Sequence, residues 1–132
     1  MNQELNVGLS HTSEIVVSSE HSASRYGSGT VEVLATPAMV ALMENAALMS
    51  VQPHLPPGLT TVGAEISVTH SKATAMGMGV SAKATLIGVD GRKLEFSVTA
   101  WDQEGEIGKG SHTRYVIDVE RFMGRLSTPK QK

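Results

Sequence analysis

The sequence contains no cysteine, which excludes disulfides, thiol nucleophiles, iron–sulfur clusters and cysteine-based zinc sites together. Charge of neither sign dominates: the formal net charge is −2 and the basic residues are scattered, so nothing favours a nucleic-acid partner. The one basic cluster is the short Lys130–Gln131–Lys132 tail. No apolar run is long enough to span a bilayer, and the polar start Met-Asn-Gln-Glu-Leu-Asn lacks the basic-then-apolar pattern of a signal peptide. Aromatic residues are scarce, and only Phe96 and Phe122 are phenylalanine. Internal repeats and low-complexity linkers are missing too. These absences predict one cytoplasmic domain over residues 1–132, with frayed polar ends at about 1–9 and 125–132.

What is present has a clear order. A short strand is predicted around Glu14–Val17, followed by a loosely patterned loop with Gly27 and Gly29. Thr36-Pro37 opens a helix, because threonine caps free backbone N–H groups and proline fits the first turn. Pro53, Pro56, Pro57 and Gly58 end it near Gln52. The period then becomes two. Val62, Ala64, Ile66 and Val68 share one face of a strand; Met78, Val80, Ala82, Ala84 and Leu86 share one face of the next. Asp90-Gly91 is a hairpin turn, after which Leu94, Phe96, Val98 and Ala100 alternate with polar residues. A turn near Gly105 leads into a last strand, roughly Ile107 to Ile117. Consecutive strands joined by short turns predict an antiparallel α+β fold with its sheet wrapped around one long central helix. Such a sheet leaves edges and apolar surface for a second copy, hence an expected homodimer.

Three polar residues stand out. Glu44 sits in the run Val40 to Met49, whose helical faces are both apolar, and a buried carboxylate needs a partner. His70 ends the row Val62, Ala64, Ile66 and Val68 with the same parity, so it points toward the helix. A pair between Glu44 and His70 would account for both, and paired acids and bases make acid–base sites. Blander readings exist for each: a polar gap at a subunit contact for Glu44, a structural strand-end role for His70, and helix capping for Thr36.

The segments "ATPAMVALMENA", "VGAEISVTHSKAT" and "EIGKGSHTRYVIDVERF" closely resemble the fluoroacetyl-CoA thioesterase-like family of hotdog-fold enzymes, over roughly Val31 to Phe122. The resemblance implies the hotdog fold, a dimer or dimer of dimers, and an acyl-CoA substrate with no cofactor or metal. It places the family's catalytic threonine, carboxylate and histidine on Thr36, Glu44 and His70, and substrate-pocket residues on Gly63 and Arg114. Two departures concern the acyl pocket. Thr30 stands where the specialised enzymes carry a lid phenylalanine, and Asn45 stands where an aromatic follows the glutamate. A small or medium acyl chain other than fluoroacetyl is therefore expected.

The predicted activity is hydrolysis of an acyl-CoA to free acid and coenzyme A, with Glu44 as nucleophile or general base and His70 assisting proton transfer. The alternative is a hotdog dimer that binds an acyl-CoA or related metabolite without turning it over. Gly77-Met78-Gly79-Val80-Ser81-Ala82 fits a dinucleotide-binding pattern, but an alternating strand follows it where a helix is required. His11, His21, His54 and His112 are too scattered for a metal site. The methionines of the helix read as core packing.

Overall fold

The computed structural model describes residues 5–126. Strand β1 (Ser10–Val16) is followed by a 3-10 turn (Ser19–His21), a short helix α1 (Ala23–Tyr26) and the long helix α2 (Thr36–Val51). Four strands come next, β2 (Leu59–His70), β3 (Gly79–Asp90), β4 (Lys93–Asp102) and β5 (Gly105–Asp118), and helix α3 (Val119–Arg125) closes the series. The expected strand, helix and four-strand order is what forms. The segment read as loop around Gly27 contains α1, which Gly27 terminates at φ 71°, a left-handed conformation that glycine adopts without penalty. The expected frayed ends lie largely outside the described residues. Of the part inside, Gly8 and Leu9 are tied down by backbone bonds to Leu86 on both its N–H and its carbonyl.

The five strands form one antiparallel sheet in the order β1-β3-β4-β5-β2. Thus β1 and β2 are its edges. The alternation read from β3 and β4 is the core: Val80, Ala82, Ala84 and Leu86 of β3 and Leu94, Phe96, Val98 and Ala100 of the adjoining β4 are all fully buried. Across them lies α2, whose Met39, Met43, Ala46 and Ala47 are also fully buried. The helix approaches β5 closely because Gly108 faces it; a Cβ there would meet Met39 Sδ at 2.7 Å.

Two sequence expectations need correction. First, Thr36 is not the helix cap. Ala35 occupies that position without a side-chain cap, and Thr36 is the first helical residue, which leaves its hydroxyl free for another partner. Second, Val62 and Ala64 do not share the face of Ile66 and Val68. A β-bulge between Gly63 and Glu65 inserts one residue, so Gly63 pairs with Arg114 and Glu65 with Thr113. The inward row of β2 is therefore Thr61, Gly63, Ile66, Val68 and His70, and the inward direction inferred for His70 holds.

Helix α2 is not enclosed on every side. Thr36, Pro37, Ala41, Asn45 and Met49 are exposed, while Val40, Glu44 and Leu48 are half-buried. Among the described residues no helix is long and apolar enough to cross a membrane.

Candidate active site

Two polar patches line the space between α2 and the β2 side of the sheet. The first lies where the start of α2 meets the end of β2. Thr36 Oγ1 and His70 Nδ1 are 2.7 Å apart, a short hydrogen bond. His70 Nε2 is buried and makes no hydrogen bond among the described residues. Burial pushes the imidazole below its ordinary pKa, and the backbone of Lys72 pulls weakly the other way. His70 is therefore neutral at neutral pH and able to take a proton. The pair opens on a cavity of about 300 Å³ whose wall includes Val31, Val33 and Leu34 from the segment before α2.

The segment after His70 is braced from β4. The buried Asp102 carboxylate accepts hydrogen bonds from Lys72 Nζ at 2.9 Å, Thr74 Oγ1 at 2.9 Å and the Glu104 backbone N–H at 2.8 Å. Burial alone would raise this carboxyl, but those donors override it and hold the pKa at about 2.

The second patch sits two helical turns further along α2. Around Gly63, an added Cβ would meet Glu44 Oε2 at 3.4 Å, Arg114 Nη1 at 3.4 Å and His112 Cε1 at 3.3 Å. Glycine at this bulge thus keeps open a point on which a carboxylate, a guanidinium and an imidazole converge. The surrounding groove has a volume of about 430 Å³ and is also lined by Thr61, Leu48 and Asn45. Arg114 is buried and firmly held: its Nε donates to Thr61 Oγ1 at 2.7 Å and its Nη2 to the Thr61 carbonyl at 3.0 Å. Its Nη1 lies 3.1 Å from His112 Nε2. Burial lowers the guanidinium from its ordinary pKa and the Glu44 charge opposes that, but arginine stays protonated throughout.

The expected residues thus fall into two groups. Thr36 is brought to His70, and Glu44 to Gly63 and Arg114. The expected pair between Glu44 and His70 does not form within the chain, because His70 lies at the helix start and takes Thr36 instead. His112, dismissed as one of several scattered histidines, belongs to the second group. The signal that identifies it is parity: it stands two residues before Arg114 on β5, hence on the same inward face. At Asn45, where an aromatic was noted in the specialised enzymes, the amide oxygen accepts from Ser13 Oγ at 2.6 Å and ties α2 to β1.

The profile of the fluoroacetyl-CoA-specific thioesterase family matches residues 17–120. The chain belongs to this family. It is 44% identical over 95 residues to the fluoroacetyl-CoA thioesterase of Streptantibioticus cattleyicolor, covering 72% of this chain and 68% of that one. A solved structure of the fluoroacetyl-CoA thioesterase FlK superposes with a TM-score of 0.88 at 38% identity, over 96% of this chain and 99% of that one. A threonine-to-serine variant of FlK in complex with acetyl-CoA matches at 36% identity and a TM-score of 0.87, over 92% and 96% of the two chains. The helix-wrapped sheet of this family member is accordingly the hotdog fold, and the protein is a thioester hydrolase.

Proposed function

We propose that the protein is an acyl-CoA thioesterase that works as a homodimer, each active site combining Thr36 and His70 of one protomer with Glu44, Gly63 and Arg114 of its partner. The observation that carries this is the separation of the two patches. Thr36 and Glu44 are eight residues apart on α2, about 12 Å along a helix that rises about 1.5 Å per residue, too far for one substrate carbonyl to meet both. Edge strand β2 offers the remedy. Its outer edge has no partner strand among the described residues, and two copies pairing antiparallel about an axis between Ile66 and Ser67 would set His70 of one opposite Gly63 of the other. Half-buried Glu44 and Leu48 of α2 line a groove with Thr61, Val62 and Gly63 of that strand, which a second copy could cover.

In such a site the Glu44 carboxylate either takes a proton from the attacking water or attacks the thioester carbonyl itself, forming an anhydride that water then hydrolyses to regenerate Glu44. In both routes the C–S bond breaks, the sulfur is protonated and leaves as the coenzyme A thiol, and water supplies the oxygen of the free acid. Neutral His70, oriented by Thr36, moves the proton on its unpartnered Nε2. Backbone N–H groups at the start of α2 suit the developing oxyanion. The aliphatic Val31 and Val33 wall, with Thr30 exposed in the same segment, supports a small or medium acyl group in place of a substrate selected by an aromatic lid. A cytoplasmic location belongs to the same reading, since coenzyme A thioesters are metabolites of the cell interior.

The test is thiol release from a panel of short, branched and aryl acyl-CoAs by wild type and His70→Ala. Hydrolysis of at least one member that collapses in the variant supports the reading. A wild type that binds the panel and hydrolyses none of it replaces the enzyme with an acyl-CoA-binding dimer.

A further inference from the structure

We propose that His112 is the positioning residue of Arg114: its unprotonated Nε2 accepts from the guanidinium and fixes the donors that Arg114 presents to the acyl end of the substrate beside Gly63. The inference rests on the reading of Arg114 as a substrate-contacting residue. The tautomer follows from the neighbours. His112 Nδ1 lies 2.8 Å from the Glu65 carbonyl, which can only accept, so Nδ1 carries the hydrogen. Nε2 is then a lone pair, and the ever-protonated Arg114 Nη1 donates to it. Both imidazole nitrogens are used within the protein, and the ring cannot turn without losing one bond. The Phe96 ring packs against it with centroids 6.2 Å apart.

The bulge explains why such a brace is needed. Inserting one residue at Gly63 and Glu65 breaks the regular pairing opposite Arg114, and the Glu65 carbonyl at that bulge is the group His112 binds. The imidazole therefore couples the bulge that opens the site to the guanidinium that lines it. Arg114 has no carboxylate within 4.0 Å among the described residues, so geometry rather than an ion pair holds it in place.

The charged groups facing His112 are Arg114 from its own strand and Glu44 from α2; β2 supplies the Glu65 carbonyl and β4 the Phe96 ring. Burial depresses the imidazole pKa, Arg114 adds to that, and the Glu65 bond and Glu44 oppose it. His112 is thus neutral at neutral pH. Below its ordinary range it gains a proton on Nε2, and two cations then face each other where a hydrogen bond had been.

The probe is the dethia analogue of acetyl-CoA, a ketone with CH₂ in place of sulfur that is not hydrolysed, titrated calorimetrically into the full-length protein. In Arg114→Gln its affinity falls by about tenfold or more. The asparagine amide of His112→Asn keeps the bond to the Glu65 carbonyl but has no acceptor at the Nε2 position, so affinity falls about tenfold while the melting temperature is retained. The glutamine oxygen of His112→Gln reaches the Nε2 position and keeps affinity within about threefold of wild type. Lowering the pH to about 5 weakens binding to wild type more than to His112→Gln, which cannot titrate there. Wild-type affinity in His112→Asn overturns the proposal. So do equal losses of affinity and melting temperature in both His112 variants, or an acid decline undiminished in His112→Gln. Should His112→Asn fail to fold, the pH series of His112→Gln decides alone. Unchanged affinity in Arg114→Gln removes the Arg114 reading and this inference together, whereas loss there without loss in His112→Asn removes only this inference.

Discussion

His70 and His112 are both inward-facing imidazoles on neighbouring strands, and both are held below the ordinary histidine pKa by burial. They differ in what their nitrogens do. His112 has both occupied, by the Glu65 carbonyl and Arg114. His70 has one on Thr36 and one buried without a partner. A saturated imidazole holds geometry, whereas one with a free nitrogen beside an open cavity is equipped to move a proton. The carboxylate that such chemistry needs lies in the other patch, so under the proposed dimer the two histidines would stand in two halves of one reaction site.

The sharpest way to break this contrast is to remove the acid from the second half. Glu44→Gln is expected to lower kcat by about a hundredfold or more with the fold intact, read by thiol release and circular dichroism. Turnover at the wild-type rate would leave the Thr36–His70 corner working alone. Thr36→Ala removes the hydroxyl that orients His70 without touching a cap, because Ala35 is the cap residue. The expected loss is about ten- to a hundredfold in kcat with little change in melting temperature. Gly63→Ala is subtler. The backbone there is not in the left-handed region, so alanine is conformationally allowed, but its methyl lies 3.3 Å from His112 Cε1 and enters the point shared by Glu44, Arg114 and His112. KM should rise about tenfold with a smaller cost in stability as these neighbours shift, a split that steady-state kinetics and thermal melting read separately.

The smallest effect on catalysis is expected from the brace behind His70. Asp102→Ala leaves the buried Thr74 hydroxyl and the Glu104 N–H without their acceptor, for a stability loss of about 1–3 kcal/mol seen in denaturant unfolding. The sign of its pH dependence follows from the depressed pKa of about 2. The carboxylate contributes fully above its unfolded value near 3.8 and progressively loses that contribution as pH falls toward 2, so the variant should lack this part of the acid sensitivity.

Much of this architecture is legible in the chain because burial leaves a period-two record. Val80 to Leu86 and Leu94 to Ala100 name their strands and their inward face directly. The bulge at Gly63 leaves no such record, and the alternation Val62, Ala64, Ile66, Val68 carries through it with the wrong face for its first two members. Thr36-Pro37 marks the helix start, yet a threonine at the first helical position and a threonine at the cap look alike in sequence. The pairing of Glu44 failed for a longer-range reason. An apolar run with one carboxylate does not say which strand positions lie beside it, and in the fold these are Gly63 and Arg114, not His70.

Complementation between two dead variants shows directly whether one site draws on both subunits. Glu44→Gln and His70→Ala protomers, unfolded together and refolded as a mixture, form mixed dimers in about half of the molecules. In each mixed dimer one site draws an intact Glu44 from one chain and an intact His70 from the other, while its second site lacks both. A shared site predicts recovery of about a quarter of wild-type thiol release from the mixture. A mixture that contains the mixed dimers, verified by mass, and stays as inactive as either parent would show that the two patches never meet across a subunit boundary.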